Sequence, residues 1–215
     1  MAQGPVVLFA PNLVGYVRLC LLASSILTGT GSPAVTVFLL CFNLLLDGLD
    51  GFLARRLGQA SSFGAFLDVL IDNATRGVFY VWAFDSPAGV LFVLLEMLSF
   101  LCTHKGGGAA WKTGYFSNSP WWVQKVMANG FRTPQGSLTV LGLMGCPVWL
   151  WTRRWYPASV FASPFFAVPA VIGRCMAGAV EIWVIARHIQ GMLREDAQAH
   201  LHQAGRKLTS YLAAN

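Results

Sequence analysis

Apolar residues fall into six long runs, Val6–Thr28, Ala34–Leu53, Gly64–Phe84, Val90–Cys102, Leu138–Trp151 and Ile172–Ala186. Several are shorter than the roughly 20 residues a straight membrane span needs, so flanking residues must extend them. The breaks between runs are turn-forming: Thr28-Gly-Thr-Gly-Ser-Pro33, Asp85-Ser-Pro-Ala-Gly89 and Gly106-Gly-Gly108. The pattern predicts an all-α, polytopic membrane protein with six transmembrane helices. No polar stretch is long enough for a second unit, so residues 1–215 are expected to form a single membrane domain. The N-terminus lacks the charged start and small-residue cleavage site of a signal peptide, and the first run is expected to remain in the mature protein. Beyond the last run, residues 190–215 are amphipathic and basic, with Leu193, Ala197, Leu201 and Leu208 roughly on one side. They predict a helix resting on the cytosolic membrane surface.

Composition agrees. The chain is 55% hydrophobic and 11% charged, too apolar to cover a globular surface with polar groups. With the N-terminus in the cytosol and six alternating helices, Arg55, Arg56, Lys105, Lys112, Lys125, Arg132, Arg187, Arg194, Arg206 and Lys207 fall on the cytosolic side. Only Arg153 and Arg154 fall opposite, as the positive-inside bias requires. A net charge of +6 then needs no nucleic-acid partner; a basic rim facing anionic lipid and an anionic substrate accounts for it. Cys20, Cys41, Cys102, Cys146 and Cys175 have neither disulfide-framework nor zinc-ligand spacing and read as small buried hydrophobes.

Against this background the acidic residues stand out. Nine are present, and four of them, Asp47, Asp50, Asp68 and Asp72, fall between positions 47 and 72, all within apolar runs. A carboxylate deep in a bilayer costs at least ~2.5–3.5 kcal/mol, so such residues point to function unless they are paired. Pairing with Arg18, Arg55 and Arg76 is the structural alternative, but it leaves the acids in excess. Asp47, Asp50, Gly51 and Ala54 recur at helical spacing and form one stripe; Gly64, Asp68 and Asp72 form another. The short link Arg56–Phe63 makes the two helices antiparallel neighbours, so both stripes can face one cytosolic cavity. Four converging carboxylates suit a hard cation, Mg²⁺ or Mn²⁺, and no cysteine or histidine accompanies them to suggest zinc. Gly51, Ala54 and Gly64 lack bulk and would let a phosphate-bearing ligand approach the backbone.

Asp47-Gly-Leu-Asp50-Gly51-Phe-Leu-Ala54-Arg55, followed after eight residues by Gly64-Ala-Phe-Leu-Asp68-Val-Leu-Ile-Asp72, resembles the signature of the CDP-alcohol phosphotransferase family. Every fixed position of that signature is filled. The resemblance implies a six-helix homodimer with a cytosolic active site. It implies that Asp47, Asp50 and Asp68 ligate the divalent metal holding the CDP pyrophosphate. Asp72 would reach the same site and act as the base that deprotonates an acceptor alcohol. Gly51, Ala54 and Arg55 match positions that contact the cytidine nucleotide.

Pro11-Asn12-Leu13-Val14-Gly15-Tyr16-Val17-Arg18 resembles the phosphatidylinositol synthases of that family, as does the entry to the third helix from Gln59 to Asp68. A purely local account would make Asn12 a helix cap and let Arg18 snorkel to the interface, but it leaves the rest of the octet unexplained. The resemblance implies transfer of a phosphatidyl group from CDP-diacylglycerol to myo-inositol, in the endoplasmic reticulum. The rival readings are another acceptor such as glycerol phosphate or serine, and a silent membrane paralogue acting as a scaffold. An ion transporter would leave the Gly-Ala-Arg spacing without a purpose. The acceptor half departs from the family: Asn73 stands where an arginine is common, and Glu96 and Ser99-Phe-Leu replace an Asp and a Ser-His-Trp element. Arg76, Lys112 and Arg132 are the candidate acceptor contacts. Arg174 and Glu181, seven apart on the last helix, are expected to form a buried pair. Trp121-Trp122 and Trp149, Trp151 and Trp155 read as interfacial anchors.

Overall fold

The computed structural model describes residues 5–84, 87–107, 116 and 118–214. Its helices are α1 (Ala10–Thr28), α2 (Pro33–Arg56), α3 (Ser62–Ala83), α4 (Ala88–Gly107), α5 (Trp121–Phe131), α6 (Pro134–Trp155) and α7 (Pro164–Ala214). Six of these correspond to the six apolar runs; α2, α4, α6 and α7 extend theirs at both ends, α3 extends its run at the start and stops one residue short at Ala83, and α1 begins only at Ala10, after a 3-10 turn over Val6–Leu8.

Local chemistry sets the starts. Pro33, Pro134 and Pro164 open their helices, where a missing N–H costs nothing. Ser61 caps α3, its Oγ accepting from Gly64 N at 3.0 Å, and Thr133 caps α6 by accepting from Gly136 N at 3.0 Å. Gln59 in the α2–α3 link accepts at Oε1 from Ala10 N at 2.9 Å, tying the start of α1 to the turn between the aspartate helices.

α1 lies along α2, α6 lies along α7, and α3 stands between, touching α1, α4 and α6. One apolar core joins Leu22, Leu40, Phe79 and Trp151; another joins Val123, Val126 and Met127 of α5 to Val180 and Val184 of α7. α6 and α7 approach through glycines. A Cβ on Gly173 would lie 2.8 Å from the Cα of Gly142, and one on Gly142 would fall on the Gly173 backbone. Such close contact between helices is characteristic of small residues in membrane interiors. Large apolar side chains such as Leu27, Phe38, Leu45 and Leu91 face outward. Among the described residues three helices are long and apolar enough to cross a membrane, α1, α2 and the span Pro164–Gln203 of α7, while Ala88–Thr103 of α4 is apolar but shorter. The chain is an integral membrane protein.

Several readings change. α5 lies outside the predicted spans; it starts at Trp121-Trp122, with Trp121 exposed, and its end is kinked by Asn129, Gly130 and Phe131 at φ of 53°, 64° and 67°. Trp151 is no anchor. It is fully buried, edge-on to Phe79 at 5.7 Å. Residues 190–214 do not form a separate helix: no turn interrupts α7 between Pro164 and Ala214. Of the cysteines, Cys102 and Cys146 are buried, Cys41 is half-buried, and Cys20 and Cys175 face outward.

Candidate active site

The two aspartate stripes converge. Asp47 and Asp50 descend from α2 and Asp68 and Asp72 from α3, and all four meet a single guanidinium from α1. Arg18 Nη1 donates to Asp50 Oδ2 at 2.6 Å, Asp68 Oδ1 at 2.9 Å and Asp47 Oδ1 at 3.2 Å. Its Nη2 donates to Asp72, and its Nε donates to Asn43 Oδ1 at 3.3 Å. Asn43 in turn donates to the Arg18 carbonyl at 2.7 Å, which fixes both the base and the middle of the arginine. Arg18 is 0% exposed, so it does not snorkel. Asn12 is no helix cap either. Phe9 holds that position, and buried Asn12 donates through Nδ2 to Val6 O at 2.6 Å.

Carboxylate oxygens of Asp47, Asp50 and Asp68 lie within 4.8 Å of one another, an all-oxygen donor set of a kind that holds a hard divalent cation. The charge around them supports such a group. A second ionic chain runs on from Asp72: Arg76 Nη1 lies 3.6 Å from Asp72 Oδ2, and Arg76 Nε donates to Glu96 Oε2 at 2.8 Å. Glu96 Oε1 then lies 3.6 Å from Arg174 Nη2, and Arg174 Nη1 donates to Glu181 Oε2 at 3.0 Å. The expected Arg174–Glu181 pair is thus present as the end of a longer chain, and Tyr80 Oη accepts from Arg174 Nε at 3.0 Å. Six carboxylates are met by three guanidiniums in this linked set. The negative excess is costly in a low-dielectric interior and would be offset by one or two divalent cations.

The aspartates separate two cavities. One, about 140 Å³, is lined by Asn12, Gly15, Asp50, Gly51, Ala54, Ser61, Gly64 and Asp68, so three of the four expected nucleotide contacts face it. The fourth, Arg55, folds back along α2, with its Nη1 3.3 Å from where a Gly51 Cβ would stand. The other cavity, about 290 Å³, is lined by Asp47, Asp68, Asp72, Asn73, Arg76, Glu96, Ser99, Thr139 and Glu181 among others. Asp68 borders both. Of the expected acceptor residues, Arg76 lines this second cavity, Arg132 is exposed at the end of α5 and lines neither, and Lys112 lies outside the described residues. The three sequence departures, Asn73, Glu96 and Ser99, all fall on the wall of the second cavity. Asn73 accepts from Arg76 Nη2 and so sits directly beside the guanidinium one turn away.

Residues 8–129, more than half of the chain, match the CDP-alcohol phosphatidyltransferase family. The chain belongs to that family. Among characterised proteins it is similar to the CDP-diacylglycerol–inositol 3-phosphatidyltransferase of Saccharomyces cerevisiae, 33% identical over 97 residues, which are 45% of this chain and 44% of the yeast protein. The human enzyme of the same name is 33% identical over 105 residues, 48% of this chain and 49% of its own length. That of Schizosaccharomyces pombe is 33% identical over 98 residues, covering 45% and 41%. The chain therefore spans about half the length, or less, of the curated relatives it matches. No solved structure matches it. The two cavities on either side of the aspartates give the chemistry of that family a physical layout.

Proposed function

We propose that the protein transfers a phosphatidyl group from CDP-diacylglycerol to myo-inositol, giving phosphatidylinositol and CMP. The observation that carries this reading is the position of Asp68 between the glycine-lined cavity and the larger one, whose wall Asp72 shares. CDP-diacylglycerol would place its pyrophosphate at Asp47, Asp50 and Asp68, with its cytidine against Gly51, Ala54, Arg55 and Gly64. Those three aspartates, with Asp72 at the edge, would hold Mg²⁺ or Mn²⁺. The bound ion would neutralise the pyrophosphate and stabilise the departing CMP. Asp72 takes the proton of an acceptor hydroxyl as that oxygen bonds to the phosphatidyl phosphorus, and the bond from phosphorus to the CMP oxygen breaks.

The polar side of the second cavity, where Arg76, Glu96 and Glu181 line it with Arg174 behind them, favours a neutral polyol. Arg76 faces Glu96, and Arg174 faces both Glu96 and Glu181. Each guanidinium is already compensated, so a phosphorylated alcohol would meet carboxylates as well as arginines. Hydroxyl groups can donate to the former and accept from the latter. This is the physical argument for inositol over glycerol phosphate, and the relatives' activity points the same way.

The wider reading is a single domain over 1–215 with six spans, α1–α4, α6 and α7, working as a homodimer in the endoplasmic reticulum with the aspartates toward the cytosol. The basic residues Arg55, Arg56, Arg187 and Arg194 support that orientation. The test is incubation of the purified protein with CDP-diacylglycerol, Mg²⁺ or Mn²⁺ and a panel of labelled alcohols. Incorporation of inositol in preference to glycerol phosphate and serine is expected. Preference for glycerol phosphate would overturn the acceptor assignment, and binding of CDP-diacylglycerol without incorporation of any alcohol would favour a silent paralogue.

A further inference from the structure

Among the described residues Arg18 is the one group in contact with all four aspartates, and neither nucleotide binding nor proton transfer in the reaction above uses it. Its Nη1 lies 2.6–3.2 Å from oxygens of Asp47, Asp50 and Asp68. A divalent cation ligated by those three side chains would sit about 2.1 Å from each donor oxygen if it were Mg²⁺. It would claim the ground Nη1 holds. The two positive charges would also repel at that separation in a site with little water. Arg18 and a metal are therefore alternative occupants of the triad. Asn43 holds the backbone carbonyl and the Nε of Arg18, so only its terminal nitrogens need shift for the triad to be vacated and the side chain stays within the site. Its helix also forms a wall of the nucleotide cavity through Pro11, Asn12 and Gly15, the last within one turn of Arg18.

We propose that Arg18 is an internal counter-cation, a positioning residue that holds the four aspartates together when divalent metal is scarce and must withdraw from Asp47, Asp50 and Asp68 for metal to bind. Arg18 thereby sets the metal concentration at which the site loads. It also keeps four adjacent carboxylates, which would repel one another inside the bilayer, from opening the α1–α2–α3 unit. The inference rests on the metal-binding reading of the aspartates.

The experiment uses the full chain in detergent micelles, wild type and Arg18→Ala, with Mn²⁺ binding read by electron paramagnetic resonance and thermal unfolding followed with and without EDTA. Arg18→Ala should melt at lower temperature in EDTA. It should also bind Mn²⁺ at least about tenfold more tightly, the change that ~1.4 kcal/mol of removed competition produces. Low-millimolar guanidinium ion should raise the melting temperature of Arg18→Ala in EDTA and weaken its Mn²⁺ binding, with neither effect on wild type. Should Arg18→Ala fail to fold, Arg18→Lys keeps a charge, but its single ammonium cannot hold the triad and Asp72 together, and Mn²⁺ should again bind more tightly than to wild type. Mn²⁺ affinity equal to or weaker than wild type in the folded variant overturns the inference alone. Absence of Mn²⁺ binding by wild type and variant alike overturns the metal reading itself, and the inference with it.

Discussion

Gly173→Ala tests whether the α6–α7 crossing is what shapes the acceptor cavity. The added Cβ would stand 2.8 Å from both Cα and N of Gly142 and closer still to the Leu138 carbonyl. All three obstacles are helix backbone, so no rotamer change relieves them. Ordinary contact begins near 3.4 Å, and the helices must part by more than half an ångström. Overpacking of this kind costs ~1–3 kcal/mol. A loss near the middle of that range lowers the melting temperature by ~4–8 °C for a chain of this size. The parting also acts on function, because Arg174 follows Gly173 directly and Thr139 of the cavity wall follows Leu138. The KM for the acceptor should rise while that for CDP-diacylglycerol stays near wild type, since the nucleotide cavity is built by α1, α2 and α3. Gly145→Ala is the control: its Cβ would meet only a Leu141 methyl carbon at 4.0 Å. Tryptophan fluorescence during heating of the detergent-solubilised protein gives the stability, and transfer of labelled inositol gives the kinetics. If Gly173→Ala melts within a degree of Gly145→Ala, the glycine contact does not set the crossing. If both substrates' KM values rise together, the two cavities are not independent.

Two further outcomes follow from the site. Asp68→Asn should abolish transfer while leaving yield and melting behaviour close to wild type, because Asp68 borders both cavities and an amide is a poor ligand for a hard cation; activity within a few-fold of wild type would remove Asp68 from the mechanism. Gly64→Ala should raise the KM for CDP-diacylglycerol roughly tenfold, a loss of ~1.4 kcal/mol, and leave that for the acceptor unchanged. Its Cβ would lie 2.7 Å from Asn12 Oδ1 and push into the nucleotide cavity, so an unchanged lipid-nucleotide KM would place the nucleotide elsewhere.

The spacing of Asp47, Asp50, Asp68 and Asp72 was enough to place them together, because i, i+3 and i+4 positions on two helices joined by a short link have few ways to diverge. What faces them was legible only in part: Arg18 and Arg76 are among the partners the sequence offers, and both pair with the aspartates, but the meeting of all four on Arg18 is not in the pattern. Arg18 lies on a different helix, and nothing in the local pattern of α1 distinguishes an arginine that reaches inward from one that reaches a headgroup. The Glu96 bridge was hidden for the same reason: it is a contact between α3, α4 and α7, and only the Arg174–Glu181 half lies on one helix. α5 escaped because its 11 residues are too few to read as a span. The unbroken course of α7 escaped because an amphipathic stretch following an apolar one reads equally well as one helix or two.

α3 carries half of the aspartates, yet it is absent from the helices that length and composition alone would commit to the bilayer. Asp68, Asp72 and Arg76 stand in its middle, where lipid solvates them worst. Handed singly to the membrane by the insertion machinery, α3 would be held back. Docked against α1 and α2, it presents its carboxylates to Arg18 and enters as part of a bundle that already compensates part of their charge. The four aspartates thus impose an order of assembly, in which the first two helices wait at the site of synthesis for the third, and variants at Arg18 would be visible first as failures of insertion efficiency during biogenesis.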